Sequence, residues 1–169
     1  MNQVAVQIIE ALELKPLTFE GGYYRQTYRS EEQVEAAHLP ERYGGHRYFS
    51  TAIYYLLTPE TFSSLHLLKT DEIFHFYAGD PIEMLLLHEA GSGEVITIGN
   101  DILNGLRPQI VVPKGTWQGS RLKDGGSFAL LGATMSPGFD MADFATPNKE
   151  FLLSQYPQFH YMIHLLTPS

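Results

Sequence analysis

Cysteine is absent from this chain of 169 residues, and that single absence removes a disulfide framework, a thiolate metal site and a cysteine nucleophile together. Basic residues are scarce as well. Eleven Lys and Arg stand against 19 Asp and Glu, a net charge of -8, and they form no basic run, so the electrostatic footprint that nucleic-acid binding requires is missing. No apolar run approaches the ~20 residues of a membrane span. Residues 1–14 carry two glutamates and no basic residue, which excludes the charged start of a secretory signal. The expectation is a cytoplasmic protein with neither nucleic acid nor membrane as partner. Hydrophobic residues make up 44% and charged residues 18%, a globular rather than a disordered balance. This length suits one domain, residues 1–169, with enough chain to bury its own core.

What is present is a β texture. Short runs rich in β-branched and aromatic residues recur about every ten residues between turn signals, the pattern of an all-β sandwich or barrel. Strands are expected near Tyr23 to Arg29, Tyr48 to Leu57, Ser63 to Leu68, Glu72 to Tyr77, Ile82 to His88, Glu94 to Ile98, Gln109 to Val112, Thr116 to Arg121 and Ser127 to Met135. Gly79-Asp80-Pro81, Gly91-Ser92-Gly93, Asn104-Gly105, Pro113-Lys114-Gly115 and Asp124-Gly125-Gly126 supply the turns between them, since Gly tolerates positive φ and Pro presets φ. Ahead of the strands, Asn2 caps a short helix whose stripe is Val4, Ile8 and Leu12 with Ala5 and Ile9, ended by Pro16. Two C-terminal helices follow from Thr146-Pro147 as a cap with Pro at the first turn, and from Pro157. They would cover an open end or one face of the β-structure and protect its edges. Residues 30–45, with Glu31, Glu32, Glu35 and Glu41 and no period, read as an exposed, mobile excursion.

The chemistry concentrates between Ser63 and Gly79. Metal-binding cupins place H-x-H, three or four residues, Glu, six residues and Gly so that one strand pair aims imidazoles and a carboxylate at a common point. Here His66 holds the first His position, Leu68 the second, Glu72 the Glu position, and Gly79 closes the hairpin. A second motif, P-x-G-x-x-H, is approached by Pro113-Lys114-Gly115-Thr116-Trp117-Gln118, with Gln118 in place of the last His. Two of four ligands are therefore replaced. His66 and Glu72 alone fall short of the three good donors of a catalytic metal site. Alternatively they bond one another or a ligand in a polar pocket.

Together with Phe19 to Arg29, Ser50 to Leu57 and Ser136 to Phe144, these segments resemble the cupin superfamily, and within it the uncharacterised branch known as cupin type 5. The resemblance implies a double-stranded β-helix jelly roll, pairing as a homodimer, with a small-molecule pocket in the barrel mouth and no established reaction. Architecture, not activity, comes with it. A weaker resemblance runs to the deoxysugar-nucleotide epimerases of the same jelly roll, in which a His on the equivalent strand is the base. Ser64-Leu65-His66 occupies that ground. Epimerisation beside a carbonyl needs such a base on one face and an acid, often a phenol, on the other.

The period of two places Ser64, His66 and Leu68 on one face, and Glu72, Phe74 and Phe76 on one face with Ile73, His75 and Tyr77 opposite. If His66 and Glu72 face inward, His75 faces away. Arg25 offers a bidentate anchor for a carboxylate or phosphate, although an Arg among tyrosines commonly stacks at the surface. His160 and His164 have the four-residue spacing of a zinc protease helix, but Tyr161 stands in place of the catalytic Glu. Asp140 and Asp143 read as turn and cap residues, and Trp117 as core.

The resulting expectation is a small-ligand-binding protein with a pocket lined by His66, Glu72, Gln118, Arg25, Ser64 and Tyr24, a metal-independent sugar or nucleotide-sugar epimerase or isomerase with His66 as base. A metal-dependent enzyme using His66 and Glu72 with a divalent metal, and a non-catalytic binding protein, are the alternatives.

Overall fold

The computed structural model describes residues 2–168. Among them are twelve strands: β1 (Lys15–Pro16), β2 (Tyr23–Arg29), β3 (Gln33–Val34), β4 (Arg47–Tyr48), β5 (Thr51–Leu57), β6 (Phe62–Leu67), β7 (Glu72–Gly79), β8 (Ile82–Leu87), β9 (Gly93–Ile98), β10 (Gln109–Val112), β11 (Trp117–Leu122) and β12 (Ala129–Met135). Three α-helices flank them, α1 (Gln3–Ala11), α2 (Lys149–Gln155) and α3 (His160–Leu165). A six-stranded sheet of order β1-β2-β5-β12-β7-β10 faces a four-stranded sheet of order β6-β11-β8-β9, and the pairings within both are antiparallel. Two such sheets, each alternating between a buried and an outer face, form a jelly roll.

The core lies between them. Tyr55, Leu57, Phe74, Phe76, Ile82, Met84, Leu86, Leu131 and Ala133 belong to one buried cluster, contributed by alternate positions along β5, β7, β8 and β12 as strand parity requires. The other parity of β8, Leu85 and Leu87, packs on the outside with Leu65, Leu152, Tyr156, Met162, Ile163 and Leu166. The C-terminal helices thus cover the outer face of the four-stranded sheet.

The differences from the sequence-based expectations have local causes. Asn2 caps α1 by accepting from the Val4 amide at 2.8 Å, but the helix ends at Ala11 because Glu13 takes a left-handed φ of 53°. Pro16 instead sits in β1, at the sheet edge, where its missing amide costs no ladder bond. The cap of α2 is Asn148, which accepts from Phe151 N at 2.8 Å, rather than Thr146. The expected strand from Tyr48 to Leu57 is divided into β4 and β5, because Tyr48 pairs with Gln33 and leaves the main sheet.

That small β3–β4 pairing belongs to the 30–45 excursion, which is largely exposed but firmly anchored at its return. The Arg47 guanidinium donates to Asp143 through Nε at 2.7 Å and Nη2 at 2.6 Å, and to the carbonyls of His46 and Tyr43 at 2.7 and 2.8 Å. Arg47 is 3% exposed and Asp143 1%. Asp143 is therefore half of a buried, bidentate ion pair rather than a turn residue; Asp140 does cap its turn, accepting from Ala142 N at 2.9 Å.

Candidate functional site

Within the barrel, on the inner face of the six-stranded sheet, lies a cavity of about 70 Å³. Leu17, Ile53, Leu68, Ala133 and Met135 form its apolar wall; Glu20, Tyr24, Gln26, Thr51 and Glu72 are polar; Phe19 and Phe139 add aromatic rings. Two of these elements are loops. Phe19 and Glu20 precede Gly21 and Gly22, whose φ values of 113° and 70° are accessible to Gly without strain, and this turn carries Glu20 into the barrel lining. Phe139 is fixed because its amide donates to Thr51 Oγ1 at 2.9 Å. Its ring stacks on Phe19 at 6.3 Å, and Phe19 meets Phe144 edge-on at 5.1 Å.

Glu72, 8% exposed, is the chemical centre. Gln118 Nε2 donates to its Oε2 at 2.8 Å; Oε1 receives no hydrogen bond from the described residues. Burial pushes the carboxyl up to about 8, the Glu20 charge adds to that rise, and the Gln118 bond opposes it. At neutral pH Glu72 holds its proton. Glu20 is braced by Ser63 Oγ, which donates to its Oε1 at 2.6 Å, and the buried Tyr55 hydroxyl donates to the Gly21 carbonyl at 3.0 Å. Tyr55 is held well above the usual phenol range by burial and by the Glu20 charge.

His66 is 2% exposed. Its Nδ1 lies 2.7 Å from the Ser64 carbonyl, which only accepts, so Nδ1 carries a proton and, in the neutral ring, Nε2 is the accepting nitrogen. The ring stacks on Phe144 at 4.9 Å and 16°. His66 is the cross-strand partner of Gln118, so His66, Gln118 and Glu72 form one contiguous polar strip. His66 and Glu72 share no direct bond, and neither His66 nor Gln118 lines the cavity. Gln118, 2% exposed, keeps a buried Oε1 without a protein partner among the described residues.

The other expected site residues separate. Tyr24 lines the cavity. Arg25 pairs with Glu13 at 3.2 Å and lies 5.7 Å over the Tyr54 ring, away from the cavity and in the stacked setting weighed for it. Ser64 contributes its carbonyl to His66 but no side chain to the cavity. A β-bulge explains this: Gln118 faces His66 while Ser120 faces Ser63, so Ser64 and Leu65 together oppose Gly119. A Cβ on Gly119 would stand 3.1 Å from Leu65 N and Ser63 O, which is why the bulge accepts Gly there. Parity shifts by one, and Ser63 rather than Ser64 joins the interior. On β7, where no shift intervenes before Phe76, Glu72, Phe74 and Phe76 are buried and His75 is outside, bonded to Gln109 and Thr134 at 3.2 and 3.4 Å.

Glu20, Phe19, Phe139 and Phe144 were not singled out as site residues by sequence. The one signal for Glu20 is the Gly21-Gly22 pair after it, which marks a turn but not its direction. His160 and His164 meet ring to ring at 4.6 Å, with no third ligand. Among the described residues no group of three or more His, Cys, Asp or Glu is placed to hold a metal. The metal that many jelly rolls of this kind carry does not fit this donor set, because Leu68 and Gln118 stand at two ligand positions and one Glu72 oxygen is engaged by Gln118. No helix among the described residues is long and apolar enough to cross a membrane.

A two-sheet antiparallel barrel with a polar strip from β6, β7 and β11 and a cavity that Glu72 of that strip lines is a cupin jelly roll. The family described as Cupin superfamily (DUF985) matches residues 6–146, and the chain belongs to it. It is similar to a hypothetical protein from Leishmania major, at 32% identity over 98% of this chain and 99% of that one with a TM-score of 0.86. A protein of Shewanella oneidensis is 35% identical over 96% of each chain, with a TM-score of 0.82. An uncharacterized protein of Saccharomyces cerevisiae is 31% identical over 132 residues, 73% of this chain and 66% of the yeast protein.

Proposed function

We propose that this chain is a small-molecule-binding cupin whose ligand enters the cavity and meets Glu72. The observation that carries this reading is Glu72 Oε1, a polar atom of a nine-tenths buried side chain that lines a cavity and has no hydrogen bond from the described residues. A carboxyl oxygen that opens onto a cavity and has no protein partner invites a ligand or water. At about 70 Å³ the cavity favours a molecule of a few heavy atoms over a nucleotide-sugar, since drug-sized ligands occupy roughly 300–1,000 Å³.

Ala133 offers the test, because its methyl lines the cavity from the middle of β12 at 4% exposure. In Ala133→Leu the added atoms fill empty space, so stability is expected to change by no more than about 1.5 kcal/mol. A small molecule retained by freshly purified wild type in native mass spectrometry is expected to be lost from the variant. Retention by both would place the ligand elsewhere.

One observation supports a second reading, His66 as the base of an isomerase or epimerase. The Ser64 carbonyl fixes its Nδ1 proton and leaves Nε2 as the accepting nitrogen, the tautomer that a general base requires. Exchange of a proton next to the carbonyl of a keto-sugar into deuterated water, abolished in His66→Ala, is the expected result on that reading. Exchange unchanged in the variant would contradict it.

A further inference from the structure

The cavity is chemically one-sided. Its lining carries two carboxyl groups, Glu20 and Glu72, and no Lys, Arg or His among the described residues. Glu20 is held in place by the Ser63 hydroxyl through one oxygen, and Glu72 by Gln118 through one oxygen. Neither has a protein cation as partner. The second Glu72 oxygen is without a hydrogen bond from the described residues, Glu20 also meets the Tyr55 hydroxyl, and Gln118, beside Glu72 but outside the lining, keeps a buried acceptor without a partner among the described residues. Phe19, Tyr24 and Phe139 supply π faces in the same lining, and an ammonium group within about 6 Å of such a face is attracted by the ring quadrupole.

Resting on the reading of this cavity as a ligand site, we infer that its ligand is a small protonated amine, the ammonium group placed between Glu20 and Glu72 and its carbon skeleton against Phe19 and Phe139. Glu20 has no cation partner in the lining, and an ammonium donating to both acids would also favour release of the Glu72 proton, since a nearby cation opposes the effect of burial. An ammonium also brings three donors and no acceptor, which the carboxyl oxygens of Glu20 and Glu72 can receive. A carboxylate or phosphate ligand would instead meet the Glu20 charge with no Lys, Arg or His in the lining to receive it. The same accounting disfavours the acid-binding role expected of Arg25, whose guanidinium is committed to Glu13 outside the cavity.

The test uses three molecules of nearly equal size, ethanolammonium, ethylene glycol and glycolate, at matched ionic strength, read by methyl NMR of the wild-type chain. Ethanolammonium is expected to shift the methyls of Leu68, Ala133 and Met135, to leave those of Leu85 and Leu87 under the helices unmoved, and to bind at least tenfold more tightly than ethylene glycol. Glycolate is expected to produce no shift. Glu20→Gln, shown folded by unchanged Leu85 and Leu87 methyls, is expected to weaken ethanolammonium at least fivefold and to leave ethylene glycol as it was. If ethylene glycol or glycolate moves the cavity methyls as strongly as ethanolammonium, the amine assignment fails while the cavity remains a binding site. If none of the three moves them, the cavity reading fails and the amine assignment with it.

Discussion

Asp143→Ala is expected to destabilise the chain by about 3–5 kcal/mol, the cost of leaving a buried guanidinium without its carboxylate. Arg47 is 3% exposed, and both of its charge-assisted bonds to Asp143 are short. The remaining carbonyl partners at His46 and Tyr43 accept hydrogen bonds but carry no negative charge. For a chain of this length the loss corresponds to a fall in Tm of roughly 6–20 °C, taking 2–4 °C per kcal/mol. The effect reaches the site because Asp143 immediately precedes Phe144, which stacks on His66 and contacts Phe19. Releasing the loop therefore loosens the aromatic cover of the polar strip. Replacing both partners by apolar residues, Arg47→Met with Asp143→Leu, is expected to recover most of the stability, since the penalty comes from the orphaned charge rather than from the pair. Thermal denaturation of the single and double variants checks both statements. A single variant within about 1 kcal/mol of wild type would mean that water already reaches the pair.

Glu72→Gln is expected to remove the fall in stability that the wild-type chain shows between pH 4.5 and 8. The folded carboxyl is pushed up to about 8 from an ordinary 4.5, chiefly by burial. Below pH 4.5 both folded and unfolded chains hold the proton. Between 4.5 and 8 the unfolded chain releases it and the folded chain does not, so stability falls by about 1.4 kcal/mol for each unit of pH. The fall levels off above 8, where the folded carboxyl also ionises. Its full extent is on the order of 4–5 kcal/mol, and it is absent from the Gln variant, which cannot ionise. Urea denaturation from pH 5 to 9 on wild type and Glu72→Gln measures the difference. Parallel profiles for the two proteins would show that Glu72 is ionised throughout and that water or an unseen counter-charge stabilises it.

How much of this was legible in the sequence depends on the range of the interaction. β2 and β10 were read with their observed bounds, and β7 with its correct inward face, because alternation is a local property of the chain. His66, Gln118 and Glu72 were likewise grouped by motif spacing, and the structure joins them in one strip. Ser64 was misassigned since the bulge opposite Gly119 arises from packing against a strand more than fifty residues away in sequence. Residue alternation within β6 carries no trace of it. Glu20 is not legible for a related reason: its loop turns into the barrel only because β2, β5 and β6 are already assembled around it. The Arg47–Asp143 pair joins residues 96 apart. Each has an ordinary local reading, Arg47 as an exposed loop cation and Asp143 as a turn former, and only the fold makes them partners. The replacement of two metal ligands by Leu68 and Gln118 is legible in the motif spacing alone.

The central claim is that the barrel cavity beside Glu72 is where this cupin holds a small protonated amine. A crystal structure of the wild-type chain soaked with ethanolammonium tests it most directly. The account predicts ordered density between Phe139 and Glu72, with the nitrogen within hydrogen-bond distance of Glu72 Oε1 and of a Glu20 oxygen. Water alone in that cavity at saturating concentration, or the amine ordered only at the protein surface, would contradict it.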